Sequence, residues 1–153
     1  MPSQFMAQIL APAAILILWS TFMMLWMAQT RFPAMAKAGI DVSKAAPGGR
    51  GGRLDGVLPD SVMWKAHNYT HLMEQPTIFY PVVLILALMG AGVWDLRLAW
   101  AYVAIRIIHS LWQALVNTIP LRFTLFLLSS LALIALAVRA VIATLGATHT
   151  VGA

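Results

Sequence analysis

A chain of 153 residues that is 61% hydrophobic and only 10% charged is too apolar for an ordinary soluble domain; its size suits one compact bundle embedded in a membrane. It has no cysteine, which excludes disulfides and a protein thiol nucleophile, so any thiol chemistry has to be brought by a ligand. The formal charge of +5 does not point to nucleic acid, because the basic residues gather in one connection between apolar runs.

At about 20 apolar residues per crossing, the sequence divides into four spans, read as helices because lipid cannot satisfy open backbone groups. The reading is therefore an all-α, integral membrane four-helix bundle forming a single domain over residues 1–153. The first span is Phe5 to Ala28. Met1 to Gln4 lacks the basic start of a secretory signal, and the apolar run is longer than a signal's, so it is kept as a span. Its Trp19, Met23, Trp26 and Met27 are read as packing and interface residues.

The first connection, within residues 31–63, holds Pro47, Gly48, Gly49, Gly51, Gly52, Gly56 and Pro59, a composition for turn-rich, mobile backbone. No Gly-Lys-Ser/Thr follows Gly48 to Arg53, so this is not a P-loop, and a polar, topology-setting loop is expected. Arg31, Lys37, Lys44, Arg50, Arg53 and Lys65 lie in or beside it, which places the loop in the cytoplasm and both termini outside.

The second span, Trp64 to Gly90, contains Pro76 and Pro81, whose missing amides release the carbonyls of Leu72 and Thr77 and predict a bend. His67, His71 and Glu74 fall on one stripe of it. They lack the Glu directly after the first His that metalloprotease spacing requires, so no metal site is predicted. The short connection Gly90 to Arg97 brings an Asp95 and Arg97 pair, read as an interfacial contact. In the third span, Leu98 to Ile119, the residues Tyr102, Arg106, His109, Gln113 and Asn117 recur every three or four positions and form one polar stripe facing the bundle. A Pro120 turn over Thr118 to Arg122 then leads into the fourth span, Phe123 to Leu145, as an antiparallel neighbour. Arg139, near its far end, is read as a headgroup anchor.

A charge at the bilayer centre costs about 2.5–3.5 kcal/mol, so these polar residues need partners or a purpose. Arg106 is expected to neutralise Glu74, to contact a ligand, or both. His109 is read as an interior hydrogen-bonding histidine or a ligand contact, with haem ligation alongside His67 or His71 as a third reading. Loop charge and helix spacing independently place His71, Glu74, Gln113 and Arg122 in the same, cytoplasmic leaflet.

The stretch Leu72-Met73-Glu74-Gln75-Pro76-Thr77-Ile78-Phe79-Tyr80, then Tyr102-Val103-Ala104-Ile105-Arg106-Ile107-Ile108-His109-Ser110, then Asn117 and Arg122-Phe123, closely resembles the MAPEG family, the membrane-associated proteins in eicosanoid and glutathione metabolism. The resemblance implies a four-helix subunit that assembles as a homotrimer, with glutathione as co-substrate between subunits and a lipophilic small molecule as the other substrate. On matching positions it implies Arg122 as the catalytic residue beside the glutathione sulfur. Glu74, Arg106 and His109 match the family's ligand-contacting positions, and His71 and Gln113 line the same site. Thr70 and His71 stand where characterised glutathione-dependent enzymes have an Arg-Asn pair, Gln113 replaces a tyrosine, and Phe123 stands where a serine can occur. These differences resemble the bacterial-type branch and imply a bacterial inner membrane with membrane lipids as surroundings. A non-catalytic protein, whose polar network serves helix packing and trimer assembly, is the alternative.

Overall fold

The computed structural model describes residues 4–45 and 47–149. Their regular structure is helical: five α-helices and two short 3₁₀ turns in the first connection. Helix α1 runs Gln4–Lys37 through Pro12 and Pro33. It continues well past Ala28, the predicted end, because Gln29–Lys37 holds good helix formers and apolar contacts. It stops where Gly39, at φ 69°, takes the left-handed conformation and the Ile40 amide donates to the Met35 carbonyl at 3.0 Å, a Schellman closure.

The first connection is packed, in contrast to the mobile loop expected. Interspersed apolar side chains explain the difference: Leu58, Met63 and Ala66 form a small buried core against which Met27, Met35, Ile40 and Leu54 pack. Asp41 caps the turn Val42–Lys44, accepting from the Ser43 amide at 3.0 Å and its hydroxyl at 2.7 Å. The Ser43 hydroxyl, and then the Ser43 amide, hold the Asp41 carboxyl below the usual carboxylate range. A second turn, Gly51–Leu54, rests on α1: Arg31 Nη2 donates to the Gly51 carbonyl at 2.7 Å. A Cβ at Gly51 would lie 2.6 Å from that same nitrogen, so a larger residue there would push the guanidinium aside.

The second span is broken, beyond the bend predicted. Helix α2 covers Asp60–Leu72, a turn covers Met73 to Gln75, and α3 covers Pro76–Met89. Pro76 has no N–H for the Leu72 carbonyl, so the chain leaves the helix one turn earlier and Pro76 opens the next one. Pro81, by contrast, is absorbed within α3. The break also changes neighbours, since α2 packs on α1 and α4 whereas α3 packs on α1 and α5.

Gly90, at φ 87°, ends α3, and α4 runs Val93–Leu115. The Asp95 carboxylate accepts from the Gly92 amide at 2.7 Å and closes the start of α4. The predicted Asp95–Arg97 pair does not form. Asp95 is buried and binds Arg139 of the following helix, while Arg97 lies over the Trp94 ring at 5.0 Å. A carboxylate turned inward finds the nearest cation across the helix pair, which corrects the reading of Arg139 as a mere anchor. Helix α5, Ile119–His149, begins with Pro120 inside its first turn. The link from α4 is Val116 to Thr118, with Asn117 at φ 57°, a left-handed conformation that asparagine tolerates.

Three stretches are long and apolar enough to cross a membrane: Phe5–Lys37, Asp60–Met89 and Ile119–Ala147. Helix α4, with 23 residues, has a crossing's length of about 34 Å. Its charged and polar side chains keep it below that composition, and it forms the inner wall of the bundle. Ile9, Leu16, Met23, Phe79, Val83, Tyr102, Val103 and Leu136 fill the core. Large apolar residues also point outward, with Leu18, Leu88, Ile119 and Ile142 each about two-thirds exposed, as expected for surfaces bathed in lipid or covered by another chain.

Candidate functional site

The polar stripe of α4 folds as its spacing predicts: Tyr102, Arg106, His109 and Gln113 are all buried. Asn117 leaves the stripe, because the helix ends at Leu115; in the link its Oδ1 accepts from Arg122 Nη1 at 2.6 Å. That bond occupies one of the five guanidinium N–H groups and fixes Arg122 at the start of α5.

Arg106 does not pair with Glu74. It is fully buried, and its Nη2 donates to the His71 carbonyl at 3.0 Å while Nη1 lies 3.5 Å from His71 Nε2. The reason is the broken helix: the Gln75 amide no longer bonds the His71 carbonyl, which takes only a long 3.4 Å bond from the Glu74 amide and so has room for Arg106. His71 Nδ1 meets Glu74 Oε2 at 2.8 Å. An arginine can only donate, so Nε2 is the accepting nitrogen and the ring proton sits on Nδ1, aimed at the carboxylate. Arg106, His71 and Glu74 thus form a relay from the buried interior to a carboxylate that is 61% exposed.

His71 also packs on His109 and Phe126, with ring centroids 5.1 and 5.5 Å apart. That distance between the imidazoles is a van der Waals contact with no room for a macrocycle between them, which removes the haem reading for this pair. His67 is turned away toward the first connection, where Nε2 meets Asp55 Oδ1 at 2.8 Å. The one-stripe arrangement of His67, His71 and Glu74 is therefore not kept, since Glu74 lies in the turn. No three His, Asp or Glu side chains gather in metal-binding geometry among the described residues.

His71, Glu74, Gln113 and Arg122 line one cleft of about 800 Å³, closed on its other side by Arg31, Gly51, Asp55 and Tyr69. His109 lies behind it, lining a cavity of about 220 Å³ that shares His71 and Arg122 with the cleft and is walled by Phe123 and Phe126. Arg106 lines neither and acts through His71. The cleft therefore carries a cation and a carboxylate on each side, Arg122 with Glu74 and Arg31 with Asp55, and the smaller cavity beside it is walled by apolar rings of α5.

The sequence reading missed several residues. Ser110 is a buried hub: its hydroxyl accepts from Trp19 Nε1 at 3.0 Å and from Asn68 Nδ2 at 2.7 Å, tying α1 and α2 to α4. Gln75 Nε2 donates to Ser130 Oγ at 2.7 Å and ties the turn to α5. Asn68 precedes His71 by three positions, so it shares a helix face with it, and this spacing was the available signal. Gln113 Oε1 and Arg106 Nε are buried with no partner within the protein.

A multi-helix membrane protein with an ionic cleft at the loop end of its bundle is the class that this fold and site define. The chain belongs to the MAPEG family, whose profile matches residues 9–142. No curated protein and no solved structure shows a match.

Proposed function

We propose that the cleft binds glutathione, or a similar anionic thiol, and presents its sulfur to a lipophilic electrophile arriving from the bilayer. The observation that carries this reading is that residues from the helix break, from α4 and from α5 converge on one cleft of mixed charge. A zwitterionic peptide thiol matches such a surface: Glu74 suits its ammonium group, and Arg31 and Arg122 suit carboxylate or thiolate. Membership of the MAPEG family adds to it.

In this reading Arg122 is the catalytic residue. A free thiol with pKa of about 8.5 is mostly protonated near neutrality, and a guanidinium within reach favours the thiolate. The thiol proton leaves to solvent through the open cleft. The thiolate sulfur then forms a bond to the electrophilic carbon as the carbon–halogen bond of an aryl halide breaks and halide departs. His71 and Glu74 orient the ligand's amine, Arg106 positions His71, and Gln113 Oε1 offers an acceptor to a ligand amide. A homotrimer would complete the cleft's open wall with a neighbouring subunit, and a bacterial inner membrane with the first connection cytoplasmic fits the loop's charge.

Purified protein in detergent is expected to gain thermal stability from millimolar glutathione and to conjugate a standard aryl halide. Arg122→Ala should retain the stability of the bundle while losing at least about tenfold in conjugation rate. Neither stabilisation nor conjugation in the unmodified protein would refute the reading.

A second reading, a non-catalytic network serving packing and assembly, is favoured by the full burial of Arg106 against a backbone carbonyl. It requires Glu74→Gln and Arg122→Ala to leave every measurable activity untouched while Arg106→Ala disrupts the fold.

A further inference from the structure

Outside the cleft, the folded first connection and the end of α1 enclose a second groove of about 600 Å³. Its floor is apolar, built from Met27, Met35, Ile40 and Leu54. Its rim carries Arg31, Arg50 and Arg53, and no acidic residue lines it. The nearby carboxylates are engaged elsewhere: Asp41 with Lys44 at 3.5 Å and Asp55 with His67 at 2.8 Å. Arg50 and Arg53 are exposed, and Phe32, at 63% exposure, stands at the mouth of the groove.

Depth matters as much as charge. The long apolar run of α1 ends near Ala28, and hydrocarbon about 30 Å thick takes up about 20 helical residues. The segment lining the groove, residues 27–35, therefore starts at the hydrocarbon boundary and passes through the headgroup layer. A polar ligand from the aqueous phase has no use for the Met, Ile and Leu floor, and an apolar molecule has none for three arginines. An amphiphile with a compact anionic head satisfies both.

We infer that this groove seats the headgroup and glycerol region of an anionic phospholipid from the loop-side leaflet. The phosphate lies between Arg50 and Arg53, and the acyl chains descend along α1. The Arg31–Gly51 hydrogen bond forms the wall shared with the ionic cleft, since Met27, Arg31 and Gly51 line both spaces. A bound lipid would hold the first connection in its folded position against α1. The inference does not depend on whether the cleft takes glutathione.

The test is native mass spectrometry of delipidated protein offered phosphatidylglycerol and phosphatidylcholine with the same acyl chains. A basic residue near the surface contributes about five-fold in affinity for an anionic lipid, so phosphatidylglycerol should be retained about thirty-fold over phosphatidylcholine through Arg50 and Arg53 together. The double variant Arg50→Gln with Arg53→Gln, both on the surface, should bring the two lipids to parity. Phe32→Glu, which puts a carboxylate at the mouth, should weaken phosphatidylglycerol retention without changing that of phosphatidylcholine. Equal retention by the unmodified protein, or a preference that survives the double variant, overturns the inference. Displacement of the lipid by millimolar inorganic phosphate would also overturn it, by showing a free-anion site that does not recognise the lipid.

Discussion

Ser110 shows how one small side chain organises the interior. Its oxygen accepts two donors from two helices, and both would be left unserved by its removal. Ser110→Ala is expected to cost about 1–3 kcal/mol, read as a fall in the thermal midpoint of the detergent-solubilised protein. A midpoint unchanged within error would show that the indole and amide find other partners. Arg106→Ala should be at least as damaging, at about 2–4 kcal/mol, because it opens a cavity and leaves the His71 carbonyl only a long backbone bond. The stripe of Tyr102, Arg106, His109 and Gln113 was legible from spacing alone, since helical period is a local property. The partner of Arg106 was not. Only the break after Leu72 leaves the His71 carbonyl with a long backbone bond and room for a second donor, and no residue type announces a carbonyl.

At the scale of elements, the turn between α2 and α3 decides where Glu74 points. Pro76→Ala restores an amide able to bond the Leu72 carbonyl, so the two helices should merge and carry Glu74 out of the cleft. The expected outcome is loss of the glutathione-dependent rise in the thermal midpoint, with no net gain in stability because the merged helix takes the His71 carbonyl from buried Arg106. An undiminished rise would show that the turn does not set the site. The two prolines look alike in sequence, yet only Pro76 breaks the helix, because the turn beside it is tied down by Gln75–Ser130 and Arg106–His71. Asp95 makes a similar point at the opposite end. Proximity in sequence suggested Arg97, whereas an inward-facing first turn of α4 meets Arg139. Asp95→Ala should cost about 1–3 kcal/mol, since it strands the Gly92 amide as well as Arg139. A loss below about 0.5 kcal/mol, the range of exposed pairs, would mark the contact as peripheral.

For the molecule as a whole, apolar runs gave three membrane-crossing stretches directly, and the fourth helix was legible through its polar face. The extent of α1 and the packing of the first connection were not, since both rest on Ile40, Leu54 and Leu58 finding α1 across a stretch rich in glycine. Orientation is open to direct measurement because the chain contains no cysteine. A single Gly49→Cys variant in intact cells should resist a membrane-impermeant maleimide and react after permeabilisation, if the basic connection lies in the cytoplasm. Ready labelling of intact cells would invert the topology.

The interrupted second span has a consequence for biogenesis. Its two pieces have 13 and 14 residues, about 20 Å each, and neither can traverse about 30 Å of hydrocarbon unaided. The translocon must accept them as one load, with the His71 carbonyl at the joint held only by a long 3.4 Å bond from the Glu74 amide. The guanidinium that relieves it belongs to a segment synthesised later, so this crossing matures only once α4 has entered beside it.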